Sequence, residues 1–396
     1  MKKITVIGQG YVGLPLAIAA YEAGYDVTGI DNSIEKIVDL NSGITGIEDL
    51  SSAKLQAALS SGRYKVTDRI TSINESDAIL VCVPTPLGID HKPDLKFLLD
   101  AVESAARNLK QGALIIIEST VEPGTTRSIV LPMIEKISGY SSEKFLLAFS
   151  PERIDPTNKN WDVINTPKLI AGLNHTAQQK AVEFYSKFVD KIVQCESLEI
   201  AETAKLLENT FRLINISFIN ELSIFCQKMN IDINQVITAA ATKPYGFMPF
   251  YPSIGVGGHC IPVDPLYLAN KAREIGTPTR FIDLADEINR EMPEYFVGRS
   301  VEMIGDLKGK KVLVIGVSYK PNVADVRETP VEALILGLEQ KGAHVGWHDD
   351  LVKEWNGKMS VALSSDFDLA IIAVPHDYLD LKVLGKMPIL NTRGSI

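Results

Sequence analysis

Short apolar runs bounded by glycine or by acidic residues recur from Lys3 to about Cys195: KITVIG, DVTGID, AILVCVP, ALIIIES, KFLLAFSP, KLIAG and KIVQC. Stretches with helical spacing of apolar positions separate them. Strands alternating with helices predict a parallel, doubly wound α/β sheet. A second series opens with KKVLVIGVSYKP near Lys310 and continues through AHVGWHDD, LAIIAV and PILNT, which predicts a smaller α/β domain of similar design. Between them, residues 197–229 are apolar at helical spacing with neither Gly nor Pro, so one long helix is expected to join the two domains.

Composition narrows the class. With 396 residues, two or three domains are expected. Hydrophobic residues at 45% and charged residues at 22% are ordinary for a folded globular protein. A net charge of −9 without a long Lys/Arg run argues against nucleic acid or an anionic membrane as partner, so any bound phosphate must be met by local charge. The opening MKKITVIGQG breaks into glycines too soon for a signal peptide or a membrane span and reads as a first strand. Four cysteines, Cys82, Cys195, Cys226 and Cys260, show no CxxC pairing, which fits reduced thiols in a cytoplasm. The six histidines, at 91, 175, 259, 344, 348 and 376, have no zinc-site spacing; His344 and His348 are four apart but belong to a strand and its following turn. No metal is expected.

The first strand runs into GQGYVG and then a helical stretch, so Gly8, Gly10 and Gly13 fit GxGxxG in the context that gives the pattern meaning. Gly8 permits the tight turn, Gly10 lets the backbone approach a pyrophosphate at the helix N-terminus, and Gly13 lets helix pack on strand. The next strand ends at Asp31, about 20 residues downstream, where an acid accepts ribose hydroxyls. An Asp there repels a 2′-phosphate and favours NAD; Asn32 and Lys36 are the residues an NADP site would use. The corresponding turn of the second series, GVSYKP, lacks the other glycines and should bind something other than a dinucleotide.

Cys260 stands apart from the other thiols. It lies in YPSIGVGGHCIPVDP, after a glycine-rich turn and before two prolines, a poor place to bury a small apolar side chain. The remaining three sit in strand or helix patterns and read as core thiols. With positive charge nearby, Cys260 can act as a nucleophile, and an aldehyde is the natural electrophile beside NAD. In the long helix, Lys205 and Asn209 are four apart and share a face, where they could stabilise an oxyanion or take a proton. On these two alone a solvated helix face is the plainer reading. EST at 118–120 and SPER at 150–153 fall at strand ends, where open α/β sheets bind ligands.

In order along nearly the whole chain, GQGYVG, VPTP, ESTVEPGTT, SPER, AETAKLLENTF, GGHCIPVDP and YKPNVADVRETP resemble the UDP-glucose/GDP-mannose dehydrogenase family. The resemblance implies two Rossmann-like domains, an NAD-binding domain at 1–196 and a UDP-sugar-binding domain at 301–396, joined by a central helical region with the cysteine loop at 197–300. It also implies a homodimer or higher homo-oligomer through the central helix. The implied reaction oxidises a sugar C6 alcohol to a carboxylate and consumes two NAD. In that scheme Cys260 captures the intermediate aldehyde as a thiohemiacetal, which is oxidised to a thioester and hydrolysed. Lys205 supports the oxyanion with Asn209, Asp264 and Glu152 handle protons and water, and Thr120 holds a water or the carboxylate near Glu152. For the cofactor the resemblance points to Gly8, Gly10, Tyr11, Val12, Gly13, Asp31, Lys36, Pro84, Thr85, Ser119 and Thr120. For the nucleotide sugar it points to Glu152, Arg153, Lys205, Asn209, Tyr251, Gly257, Lys320 and Arg327.

Members acting on UDP-glucose often carry a Lys near the position Val263 occupies here, whereas SPERIDPTNKN and FMPFYPSIGVGGHCIPVDP look more like the branch that oxidises UDP-N-acetylglucosamine or UDP-N-acetylmannosamine for surface polysaccharides such as capsule or O-antigen. UDP-glucose or GDP-mannose is the alternative substrate. A two-electron β-hydroxyacid dehydrogenase would leave Cys260 and residues 310–396 unused, and an inactive nucleotide-sugar-binding regulator would lack a key residue.

Overall fold

A computed structural model describes residues 1–396 except 48–49, 89–91, 156–157, 159 and 395–396. His91 and, within SPERIDPTNKN, Pro156, Thr157 and Lys159 lie outside the described residues. The chain divides into two compact units, Met1–Leu207 and Glu208–Ile396.

In the first unit the elements follow as β1 (Lys3–Ile7), α1 (Gly13–Glu22), β2 (Asp26–Ile30), α2 (Ile34–Asn41), α3 (Ser52–Ser60), β3 (Tyr64–Thr67), β4 (Ala78–Val81), α4 (Lys96–Arg107), β5 (Leu114–Ile117), α5 (Leu131–Ser138), β6 (Leu146–Phe149), β7 (Lys168–Gly172), α6 (His175–Tyr185) and β8 (Ile192–Gln194). The eight strands lie in the order β3-β2-β1-β4-β5-β6-β7-β8. The order reverses direction between β1 and β4, the kind of switch point at which doubly wound sheets bind ligands.

Both faces of this sheet are covered, and the side-chain alternation of strands shows it. Leu114 and Ile116 of β5 join the core beneath α1 and α6, while Ile115 and Ile117 join the core under α4 and α5. Each such buried Leu or Ile contributes roughly 1.5–3 kcal/mol.

Two details differ from the sequence expectation. The short strand β3, YKVT, adds an edge that the apolar runs do not advertise. More consequentially, β7 runs antiparallel to β6, with Phe149 opposite Ala171. A parallel neighbour needs a crossover, usually a helix; among the described residues no helix joins β6 to β7, so the chain turns back instead.

Helix α7 (Leu198–Lys228) is 31 residues long and carries the boundary between the units. The second unit continues with α8 (Ile233–Ala241), α9 (Asp264–Glu274), α10 (Arg280–Ile304), β9 (Lys311–Ile315), α11 (Val331–Gln340), β10 (His344–His348), a small β11/β12 hairpin (Glu354–Trp355 and Lys358–Met359), β13 (Leu369–Ile372) and β14 (Ile389–Asn391). Its parallel sheet has the order β10-β9-β13-β14. Val312 and Val314 face one core and Leu313 and Ile315 the other, so this sheet is also covered on both sides. The fold is α/β with two Rossmann-like sheets and a long helix in the middle of the chain. Among the described residues no helix is long and apolar enough to cross a membrane.

Candidate functional site

The turn after β1 separates the jobs of its glycines. Gly8 has φ +92°, and a Cβ there would lie 2.4 Å from the Cys82 carbonyl oxygen; a Cβ on Gly13 would lie 1.8 Å from the Gly8 carbonyl oxygen. Both are glycine because the protein packs against them. A Cβ on Gly10 would meet nothing within 4 Å. Gly10, just before the N-terminus of α1, therefore borders open space, where a ligand could approach the backbone closely.

Asp31 follows β2 and is buried. Its carboxylate accepts the Gln9 N–H at 2.9 Å, the Ser33 N–H at 3.0 Å and the Lys36 ammonium at 2.9 Å. Burial pushes this carboxyl up, but the three donors outweigh burial and hold it below its usual range. Gln9 is wedged in place by Tyr64 of β3, whose hydroxyl donates to Gln9 Oε1 at 2.8 Å. The unadvertised edge strand therefore steadies the turn. Lys36 is engaged with Asp31 itself, so it does not offer the independent cation that an NADP site would use. An anchored, buried carboxylate beside an open glycine turn fits the ribose and pyrophosphate of NAD.

At the ends of β4, β5 and β6 the candidate residues VPTP, EST and SPER follow adjacent strands. The Ser119 hydroxyl donates to the Val83 carbonyl at 2.7 Å and accepts the Val83 N–H at 3.0 Å, while Thr85 Oγ1 donates to the Thr120 carbonyl at 2.9 Å. These bonds stitch the two loops together, with Pro84 exposed between them. Tyr11 and Val12 are half-buried in the turn opposite. Glu202 of α7 accepts the N–H groups of Gly124 at 2.6 Å and Thr126 at 3.0 Å and so ties the ESTVEPGTT loop to the helix. Lys205 follows three residues later and is buried, as is Asn209, so neither belongs to a solvated face.

Glu152 has one carboxylate oxygen on the backbone N–H groups of Arg153 and Ile154, at 2.5 and 2.8 Å. Its other oxygen lies 3.4 Å from Lys168 Nζ. Arg153 donates to the Pro167 carbonyl at 2.7 Å. Lys168 in turn makes a 2.6 Å ion pair with Glu118, which also accepts the Tyr185 hydroxyl. Glu118 is buried completely, and burial raises its carboxyl to about 7 despite Lys168. Burial alone would lower the Lys168 ammonium, yet the two carboxylates outweigh it and keep Lys168 charged. The sequence marked Glu118 as part of EST but gave Lys168 only as the opening residue of a strand.

In the second unit, Cys260 is exposed while Cys82, Cys195 and Cys226 are buried. Cys82 lies one residue beyond β4 rather than inside it. The loop before Cys260 is fixed by contacts that leave no room for side chains. A Cβ on Gly257 would lie 2.5 Å from the Glu328 carbonyl oxygen, and one on Gly258, at φ +85°, would lie 2.9 Å from the Tyr319 ring. The Gly258 N–H donates to the Arg327 carbonyl at 3.1 Å, and Asn289 of α10 accepts the Val256 N–H at 2.6 Å. Asn289 was not singled out by the sequence; a lone Asn on a helix gives no signal.

The Cys260 carbonyl accepts the N–H of Asp264 at 2.8 Å where α9 begins, and the buried Asp264 carboxylate accepts the Asn209 amide at 2.6 Å. Cys260, Asp264 and Asn209 thus form one connected group. Arg327 is held by Asp325 through its Nε at 2.8 Å, and Lys320 Nζ lies 5.9 Å from the Tyr319 ring. Tyr251 is exposed on the loop leading to Gly255. His259 is exposed at the surface, and partial desolvation, then the Arg327 charge, lowers its imidazole below the ordinary value.

The second Rossmann-like sheet keeps the acidic residue after its second strand but uses it differently. Asp349 accepts the N–H groups of Val317, Leu351 and Val352, at 3.0, 2.9 and 3.1 Å, and its Oδ2 lies 3.1 Å from His376 Nε2 with both side chains fully buried. The Asn322 N–H donates to His376 Nδ1 at 3.0 Å, so Nε2 carries the proton given to Asp349. This carboxylate is consumed inside the protein and has no face left for a ribose. Among the described residues no cluster of His, Cys, Asp and Glu could hold a metal ion.

Comparison with known proteins agrees with this division. The NAD binding domain of the UDP-glucose/GDP-mannose dehydrogenase family matches residues 2–189, the central domain of that family matches 199–291 and its UDP binding domain matches 313–392. A UDP-N-acetyl-D-glucosamine 6-dehydrogenase of Salmonella typhi is 34% identical over 388 residues, covering 94% of this chain and 90% of that protein. A solved UDP-D-ManNAc dehydrogenase from Pyrococcus horikoshii superposes with a TM-score of 0.91 at 31% identity, covering 99% of this chain and 95% of that one. A UDP-glucose dehydrogenase from Pyrobaculum islandicum superposes with a TM-score of 0.90 at 26% identity, covering 99% and 94%.

Proposed function

The chain belongs to the UDP-glucose/GDP-mannose dehydrogenase family and is an NAD-dependent nucleotide-sugar dehydrogenase, and from that premise we propose that it oxidises a UDP-N-acetylhexosamine at C6 to the uronic acid by way of a covalent adduct on Cys260. The substrates named for the Salmonella and Pyrococcus proteins support the hexosamine branch, and UDP-glucose is the competing substrate. The observation that carries the covalent step is the exposed Cys260 thiol on a loop pinned by Asn289 and by the bond from Asp264.

NAD, bound at the Gly8–Gly13 turn with Asp31 on its ribose, supplies the hydride acceptor for two oxidations, alcohol to aldehyde and thiohemiacetal to thioester. The Cys260 sulfur adds to the aldehyde carbon, and the oxygen takes a proton. Lys205 donates to this oxygen while it carries charge, and Asn209 orients the group through Asp264. A water held by Thr120 gives a proton to Glu152 and attacks the thioester; the C–S bond breaks and the thiolate returns to Cys260 with Asp264 managing the proton. Per sugar, one alcohol and one water give one carboxylate, with four electrons removed. Tethering keeps a reactive aldehyde from escaping between the oxidations. Arg153, Tyr251, Gly257, Lys320 and Arg327 bind the UDP-sugar, with Lys320 and Arg327 answering its diphosphate.

We assign NAD to residues 1–196, the cysteine chemistry to 197–300 and the UDP group to 301–396, in the cytoplasm, where the thiol stays reduced. A homodimer or larger homo-oligomer through α7 is supported by Leu207, Phe211, Phe218 and Phe225, exposed at helical spacings of four and seven. Sedimentation of a Phe218→Glu/Phe225→Glu variant at the monomer mass is the expected result; an unchanged oligomer contradicts that assignment. Turnover with UDP-N-acetylglucosamine, UDP-N-acetylmannosamine, UDP-glucose and GDP-mannose tests the substrate reading: a hexosamine should give the highest kcat/KM, and preference for UDP-glucose would overturn it. The aminouronic product is an activated glycosyl donor suited to surface polysaccharide synthesis.

A further inference from the structure

Lys168 has no part in the chemistry assigned above, yet it is buried between two carboxylates. Its position follows from the strand that departs from the parallel pattern. Lys168 is the first residue of β7, and in a parallel strand the first residue would lie at the edge of the sheet away from the ligand-binding ends. Because β7 is antiparallel to β6, Lys168 lies instead beside the segment leaving β6, where Glu152 is, and near Glu118 after β5. Lys168 Nζ is 2.6 Å from Glu118, 3.4 Å from Glu152 and 3.4 Å from the Pro151 carbonyl.

We infer that Lys168 is a positioning residue for Glu152: held from behind by Glu118 and Tyr185, its ammonium fixes one Glu152 oxygen and leaves the carboxylate aligned for its role in releasing the acid. The inference rests on the reading of Glu152 as the proton acceptor for thioester hydrolysis. Geometry distinguishes the two carboxylates. Glu118 has one oxygen on the ammonium and the other on Tyr185 and is completely buried, so it serves as an anchor. Glu152 is partly exposed, with its second oxygen on the N–H groups of Arg153 and Ile154, so it is the member that can reach water. Two carboxylates sharing one ammonium also explain why burial does not discharge Lys168.

The test uses the double variant Glu118→Gln/Lys168→Met, which removes both members of the fully buried pair together and leaves Glu152 held only by its backbone donors, together with Lys168→Arg and Glu152→Gln. Both oxidations precede hydrolysis, so slow acid release should appear as a pre-steady-state burst of two NADH per active site followed by slow turnover. The expected result for the double variant is this burst with kcat reduced about 10- to 100-fold, KM for the sugar falling in step so that kcat/KM stays nearly unchanged, and NAD binding retained. Lys168→Arg, which keeps the cation, should recover most of kcat. Loss of packing alone would weaken NAD binding or both oxidations and would produce no burst. A double variant with wild-type turnover beside a slow Glu152→Gln overturns the role of Lys168 alone; wild-type turnover of Glu152→Gln overturns the assignment of Glu152 and the inference with it.

Discussion

Asn209 donates its side-chain amide to the Asp264 carboxylate at 2.6 Å, and both side chains are buried. The bond joins α7 to the first residue of α9, and the Asp264 N–H in turn holds the Cys260 carbonyl at 2.8 Å. A helix position four residues from Lys205 thereby controls where the Cys260 backbone sits.

Replacing Asn209 with Ala leaves a buried carboxylate one donor short, which costs about 1–3 kcal/mol. Thermal unfolding should show the loss, and Asp264→Asn in the same background should recover part of it by removing the charge. Equal unfolding of Asn209→Ala and wild type would show that Asp264 does not depend on Asn209.

Gly10→Ala and Gly13→Ala should separate cofactor binding from folding. A methyl at Gly10 meets no protein atom within 4 Å, so this variant should unfold like wild type while NAD affinity falls about tenfold or more. A Cβ at Gly13 collides with the Gly8 carbonyl at 1.8 Å, and overpacking of this kind costs about 1–3 kcal/mol or more. Calorimetric titration with NAD beside thermal unfolding checks both; wild-type NAD affinity in Gly10→Ala would remove the pyrophosphate from that turn.

Asp349 carries a pH signature. Burial raises its carboxyl, but His376 and the backbone N–H groups outweigh burial and bring it to about 2 from 3.8. A carboxyl depressed in the folded state stabilises the fold above its unfolded value and loses that contribution as pH falls toward the folded one. The difference corresponds to roughly 2 kcal/mol at neutral pH, fading between about pH 4 and pH 2. Denaturant unfolding should find Asp349→Asn less stable at pH 7 and closer to wild type near pH 2. A gap of constant size across that range would contradict the assignment.

The parts of the fold that were legible in the sequence are those fixed by local chemistry. Buried parallel strands must be apolar along their length, so ALIIIES and AILVCVP declared themselves, and a glycine that would strike a carbonyl, as Gly8 and Gly13 do, is forced by the turn. Strand direction is not local. KLIAG reads as a strand either way, and only the turn back after β6 reveals that its leading Lys168 is buried at the ligand-binding edge. Helical spacing put Lys205 and Asn209 on one face but could not say whether that face was covered. The motif-level resemblance supplied the expected roles of residues such as Tyr251 and Lys320, which their own local sequence does not specify. Asn289 and Tyr64 stayed hidden because a supporting side chain is defined by what it holds, here the Val256 N–H and the Gln9 amide oxygen.

The measurement that bears most directly on Cys260 is the number of NADH formed per UDP-N-acetylhexosamine consumed, in wild type and in Cys260→Ser. Two NADH and one uronic acid per sugar are predicted for the wild type, with the variant binding sugar but forming no acid. One NADH per sugar in the wild type, or normal acid production by Cys260→Ser, would contradict a four-electron oxidation through a covalent adduct.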